Sequence, residues 1–252
     1  MAPLNWSRDQ SLVAFSLYWR LPFGRFHSNN PEIIKYAALI QRTPSALAMK
    51  LSNIASLDPA ILMTGRSGLK AASKMDKALW QEMQQDWPTF VLAMAQAEAS
   101  FIGAQSEQMQ QTEDVKITTK LSEVQQRVGQ SFFRNAVLSA YDYRCCITGL
   151  ANPRLLVASH IVPWRSDEQN RLNPSNGLAL SALHDKAFDL GLITISEDYR
   201  VIVSTKYKPT TDPFFDETIL RFNGKPILLP QKFLPEPRFL AFHREQIFEK
   251  AV

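Results

Sequence analysis

Helical spacing of apolar residues dominates the first hundred positions. Ser7 followed by Gln10 forms a capping box, and the run LVAFSLYWRL behind it predicts a helix. LPFGRFHSNN reads as a loop, marked by Pro22, Gly24 and an asparagine pair. Pro31 suits a first helical turn, and Ile33, Ile34, Ala37 and Ala38 then recur at helical spacing. The pattern breaks at QRT, after which Pro44 opens a second helix with Leu47, Ala48, Leu51 and Ile54 on its apolar side. Two short amphipathic helices joined by a tight turn make a helix-turn-helix, although this turn lacks the frequent glycine. TGRSGLKAASKMDKALW continues as a basic, Gly-rich hairpin or loop and then another helix, so the front module is expected to look like a winged helix.

Residues 103–120, GAQSEQMQQTEDVKITTK, are polar, rich in glutamine and poor in large apolar residues, which predicts a linker. A helix resumes near Glu123 with EVQQRVGQSFFRNAVLSAY. Short apolar runs separated by turns follow. LLVASHIV reads as a strand ended by Pro163; a polar loop, NPSNG and the short run LAL come next. SALHDKAFD reads as a helix capped by Ser181, with His184 in its first turn. GLITISEDYRVIVS reads as a hairpin and RFLAFHREQIFEKAV as a closing helix.

Composition narrows the class. At 252 residues with 45% apolar content, the chain has room for two ordinary domains and enough material for packed cores. No run of 18 uncharged apolar residues exists to span a membrane, and MAPLNWSRDQ lacks the pattern of a signal peptide, so a cytoplasmic location is expected. The two cysteines, Cys145 and Cys146, are adjacent, which excludes a disulfide framework; with no second pair of ligands, structural zinc is not expected either. The net charge is +4, but residues 20–77 carry nine Lys or Arg against three acids. A basic surplus confined to one module suggests a polyanion partner.

Four histidines serve the whole chain, and two of them, His160 and His184, flank NPSNG. His160, Asn176 and His184, within ASHIVPW, NPSNGLAL and LHDKAFDLGLITI, resemble the signature of HNH nucleases on the ββα-metal fold, in the subgroup found among restriction endonucleases. The likeness extends from about Val124 to the tail, and residues 5–87 resemble a module often attached to such nucleases. It implies an α+β chain: a mainly helical winged-helix or helix-turn-helix domain over 1–102, the linker 103–120, and the nuclease domain over 121–252.

The chemistry fits those residue types. A neutral imidazole, His160, can take a proton from water near pH 7. A divalent cation, Mg²⁺ or Mn²⁺, can stabilise charge on the phosphate oxygens and the leaving group. His184 is the expected metal ligand, and Asn176 would orient the base or the water, or touch the metal. Many HNH sites place Asp or His directly before the base, whereas Ser159 stands here. A carboxylate must then come from elsewhere, with Asp189 preferred over Asp185. His27 reads as a surface residue with a phosphate contact as the alternative, and His243 as structural.

In the front module, a recognition helix PSALAMKLSNIASL would offer Ser45, Met49, Lys50, Ser52 and Asn53 to the major groove of double-stranded DNA. Arg42, Thr43, Arg66, Lys70 and Lys74 suit phosphates. The resemblance suggests a modification-dependent restriction enzyme reading 5-methylcytosine, since a major-groove reader can detect that methyl group. One HNH centre cuts one strand, so double-strand cleavage would call for a homodimer. Two other readings stand beside it: a helix-turn-helix regulator with an inactive nuclease fold, and a homing or nicking endonuclease acting on unmodified DNA.

Overall fold

Strong caps and well-placed prolines punctuate the chain much as the pattern predicts. The computed structural model describes residues 5–63, 69, 71–106, 120–206 and 212–249. The chain divides into two units, Met1–Ala136 and Val137–Val252.

In the first unit, helices α1 (Arg8–Arg20), α2 (Pro31–Leu39), α3 (Pro44–Ala55), α4 (Pro59–Met63), α5 (Lys74–Gln85) and α6 (Trp87–Ser106) follow one another, and α7 (Lys120–Ala140) begins there. Ser7 and Gln10 form the reciprocal capping box that starts α1. Every residue of α1 from Ser11 to Trp19 is buried, so α1 is the central helix, packed against α3, α5 and α6. Its aromatic residues anchor the core: Phe15 meets Phe90 edge-on at 5.6 Å, and Trp19 meets Trp87 at 5.0 Å.

Helices α2 and α3 pack on each other across a tight turn. Asn30 caps α2 and Thr43 caps α3, each followed by proline at the first helical position. The glycine missing from the turn is replaced by Gln41, which takes the left-handed conformation at φ 55°. Arg42 N–H closes the turn on Ala37 O at 2.8 Å.

Two expectations for this unit need correction. Lys50 does not face solvent: it is 5% exposed, pairs with Asp76 at 2.6 Å and lies over the Trp6 ring. The apolar stripe of α3 includes its position, and the buried Asp76 carboxylate supplies the countercharge. Arg42 likewise bonds Asn5 O and Gln10 Oε1 and stacks on Trp6, tying the start of α1 to the turn. Ser45 and Met49 are exposed on α3, with Ser52 and Asn53 partly so. The expected wing, with Arg66 and Lys70, lies outside the described residues; among those described, the unit contains helices and no strand. The ends of the expected linker are helical, in α6 and α7, and residues 107–119 are not described.

The second unit holds two small antiparallel sheets. Strands β1 (Leu156–His160) and β2 (Gly177–Ser181) pair from Leu156↔Ser181 to His160↔Gly177. Helix α8 (Ala182–Asp189) follows β2 with no intervening loop, because Ser181 is both the last strand residue and the helix cap. This is a ββα arrangement. Strands β3 (Ile193–Ile195) and β4 (Val201–Val203) form the hairpin expected from GLITISEDYRVIVS. Helix α9 (Pro213–Thr218) comes next, and α10 (Pro237–Phe242) passes directly into a π-helical turn, His243–Ile247. Cys145 and Cys146 are fully buried free thiols, and Cys146 N–H bonds Ala179 O on β2.

Gly191 ends α8 in the left-handed conformation at φ 71°. A Cβ there would stand 2.2 Å from Ile247 O, so only glycine lets the closing turn seat against the helix exit.

Candidate active site

His160 is the last residue of β1, where the strand gives way to the long loop leading to β2. Its Nε2 lies 2.9 Å from Arg171 O. A carbonyl can only accept, so Nε2 carries the proton and Nδ1 holds the lone pair of the neutral ring. The Trp164 edge stands against the ring, with centroids 5.4 Å apart, and the Arg171 guanidinium covers Trp164. Burial lowers the His160 pKa below its ordinary value, and the Arg171 carbonyl offsets part of that. The imidazole is therefore neutral at pH 7.

Helix α8 presents two different faces. Asp185 and Asp189, four residues apart, open with Ser159, His160, Trp164 and His243 onto a groove of about 330 Å³. Both carboxyls have pKa values raised, first by burial; Asp189 is raised further by the charge of Asp185. Lys186 and the Ser159 hydroxyl pull Asp185 the other way. Among the described residues no salt bridge to either carboxylate is found.

His184, the expected metal ligand, is on the other face. It is 3% exposed, its Nδ1 lies 2.9 Å from Ser181 Oγ, and its ring meets Phe222 edge-on at 5.5 Å. It does not line the groove. The reason is geometric: adjacent residues on a helix diverge by about 100°, so a helix that turns Asp185 to the groove turns His184 to the core. Burial lowers the His184 pKa, partly offset by the Thr218 backbone.

Asn176 is fully buried and does not reach the groove. Its Oδ1 accepts from Val162 N–H at 2.8 Å and its Nδ2 donates to Val162 O at 3.2 Å, while its own carbonyl accepts from Ile161 N–H. This two-point clamp fixes the backbone just after His160, so the Asn176 amide is engaged with the chain and not with the groove. Asp189, the carboxylate preferred from sequence, lines the groove, and Asp185, the second choice, joins it. Trp164 and His243 were given no role there from sequence. Trp164 sits within the ASHIVPW stretch, but nothing in the sequence links residue 243 to residue 160.

The groove offers hard oxygen donors suited to a divalent cation: two carboxylates outside any salt bridge found among the described residues, and the Ser159 hydroxyl. Among the described residues no cluster of three or more His, Cys, Asp or Glu forms a complete metal cage. One or two carboxylates supplemented by water and substrate phosphate is the usual manner of binding Mg²⁺. Among the described residues no helix is long and apolar enough to cross a membrane.

A comparison with characterised proteins found no match to the chain. Residues 145–196, which hold β1, β2, α8 and β3, match the family model described as HNH endonuclease, and that match supports a nuclease with DNA as its substrate.

Proposed function

We propose that this protein is a metal-dependent DNA endonuclease in which His160 is the general base. The carrying observation is the convergence of a neutral imidazole and two carboxylates on one groove, all three from the matched segment. Asp185 and Asp189, with Ser159, would hold Mg²⁺ or Mn²⁺, which when bound supplies charge neutralisation at the scissile phosphate and the leaving oxygen. His160 Nδ1 takes the proton from the attacking water. The Nε2–H bond to Arg171 O keeps the ring oriented and favours the imidazolium that results. Trp164 walls the base from bulk water, and Asn176 holds its backbone.

Nicking of supercoiled plasmid with Mg²⁺ or Mn²⁺ tests this. The rate should fall by about 10²–10⁴ in His160→Ala, the range for loss of a general base. Undiminished nicking in that variant removes His160 from the mechanism. An inactive wild type that still binds DNA would favour the regulator reading.

In the same reading, residues 1–102 form the DNA-reading domain and 121–252 the nuclease. The α2–α3 pair supplies the reader, with Thr43 and Ser45 toward DNA and Arg66 and Lys70 on the neighbouring DNA backbone; the Asn53 Oδ1 is buried, which takes it away from a base edge. Lys50 is not part of it. Met49, 57% exposed on α3, is an apolar side chain suited to a methyl group in the major groove, which supports recognition of 5-methylcytosine and hence modification-dependent restriction. Digesting methylated and unmethylated copies of one plasmid separates this from a homing or nicking enzyme: equal cleavage of both sinks it. Double-strand cuts would require a homodimer, which sedimentation on DNA would reveal.

A further inference from the structure

We propose that His243, which lies outside the matched segment, is the positioning residue that fixes Asp189 for metal binding. The inference rests on the reading of the groove as a metal site.

Asp189 is the last residue of α8 and is exposed, and no hydrogen bond or ion pair to its side chain is found among the described residues. The direction of its Cα–Cβ bond is therefore set by the backbone on either side of it. That backbone is gripped by the closing segment of the chain. His243 Nε2 lies 3.1 Å from Phe188 O, one residue before Asp189, and its Nδ1 lies 2.8 Å from Thr194 Oγ1 on β3. The carbonyl can only accept, so Nε2–H donates to Phe188 and Nδ1 accepts from the Thr194 hydroxyl. One ring thus joins the exit of α8 to β3, with its proton held on a defined nitrogen.

Further contacts grip the same point. The His243 ring stacks on Phe188 at 3.6 Å with an interplanar angle of 14°. On the far side of the exit, Glu249 N–H bonds Gly191 O at 3.0 Å. His243 and Ile247, the two ends of the π-helical turn, both line the groove beside Asp189. The π-helical turn ends the helix, with Phe248 already extended. Here it brings His243 under Phe188 and Ile247 against Gly191. A residue that only filled core space would need neither nitrogen; this one uses both, and one of them on the carbonyl next to a groove carboxylate.

Partners of metal ligands typically change affinity by 10–100-fold when removed. The test compares three variants by titrating Mn²⁺ and following free ion by electron paramagnetic resonance, with plasmid nicking alongside. His243→Phe keeps the stack and loses both hydrogen bonds. The double variant T194V/H243F removes the stranded hydroxyl and should recover the melting temperature. His243→Gln retains a donor and an acceptor. We expect T194V/H243F to fold as stably as wild type but to bind Mn²⁺ about tenfold more weakly, with KM for DNA unchanged at saturating Mn²⁺. H243Q should restore most of the affinity. Wild-type Mn²⁺ affinity in T194V/H243F would overturn the inference while leaving the nuclease reading intact. A wild-type protein that binds no Mn²⁺ would overturn both.

Discussion

Asp185 and Asp189 stand one turn apart on α8, and both open onto the groove that ends at His160. Their neighbours His184 and Phe188 have the same spacing on the same helix, yet face the core. The eight residues of α8 thus carry two pairs, and the one bearing charge is turned to the groove. Each carboxyl has its pKa raised by burial, and Asp189 further by Asp185.

Asp185→Asn should therefore have two separable effects. It removes a proposed ligand, so half-saturation by Mn²⁺ should rise about tenfold or more. It also removes the repulsion felt by Asp189, whose pKa should move down toward its ordinary value. Carbon-detected NMR titration of Asp189 in the metal-free variant checks the second effect. An unmoved Asp189 would mean that the two carboxyls do not share the groove.

The pH–rate profile has a defined direction. His160 must be neutral to accept a proton, and burial holds its pKa below 6.5. At saturating Mn²⁺ the acid limb of kcat/KM should have its midpoint below pH 6.5. At subsaturating Mn²⁺ the limb should move to higher pH, because carboxylates with raised pKa values lose metal as they protonate. A midpoint above pH 7 under saturation would contradict the assigned base.

Stability should fall on acidification through His243. Burial, with a smaller contribution from Arg244, lowers its pKa to about 4, while its carbonyl bond to Phe188 opposes the shift. The unfolded chain binds this proton near pH 6.5 and the folded chain only near 4. The stabilisation is complete above pH 6.5 and is lost as pH falls from there through 4, amounting to about 3 kcal/mol. Asp185 and Asp189, which face the same groove, have raised values and act in the opposite sense. The difference in unfolding free energy between wild type and His243→Gln, measured by urea titration at pH 7 and pH 4.5, isolates the histidine. A difference that stays constant between those two pH values would refute the linkage.

Lys50 makes a prediction about the front unit. Removing one partner of a buried ion pair strands the other, so Lys50→Ala should destabilise the protein by about 3–5 kcal/mol. Asp76 also caps α5 through Ser73, so its charge is held in place and cannot swing to solvent. Thermal melts measure the loss. DNA affinity per folded molecule should be unchanged, whereas a base-reading lysine would lower affinity with no loss of stability.

Much of this was legible in the sequence because local chemistry repeats. Ser7 with Gln10, Pro31, Pro44, and Ser181 before His184 each act within a few residues, and each starts a helix where expected. The hairpin-helix order around His160 follows from the same signals. The burial of Lys50 and His184 was not legible in the sequence for one shared reason. Each polar residue sits beside or among apolar positions on a short helix, and its burial depends on a partner distant in sequence, Asp76 for the first and Phe222 for the second.

By itself the sequence determined the inventory: which segments are helix or strand, where they stop, and that an imidazole on a strand end precedes carboxylates on a helix. Those properties are set by backbone sterics, capping and side-chain period, all short-ranged. Tertiary structure alone decided which face of α8 meets His160, that Asn176 spends its amide on the Val162 backbone, and that His243 reaches Phe188 from 55 residues away. Side chains four residues apart share a helix face whatever their chemistry, so only packing against the rest of the chain could choose between the two pairs.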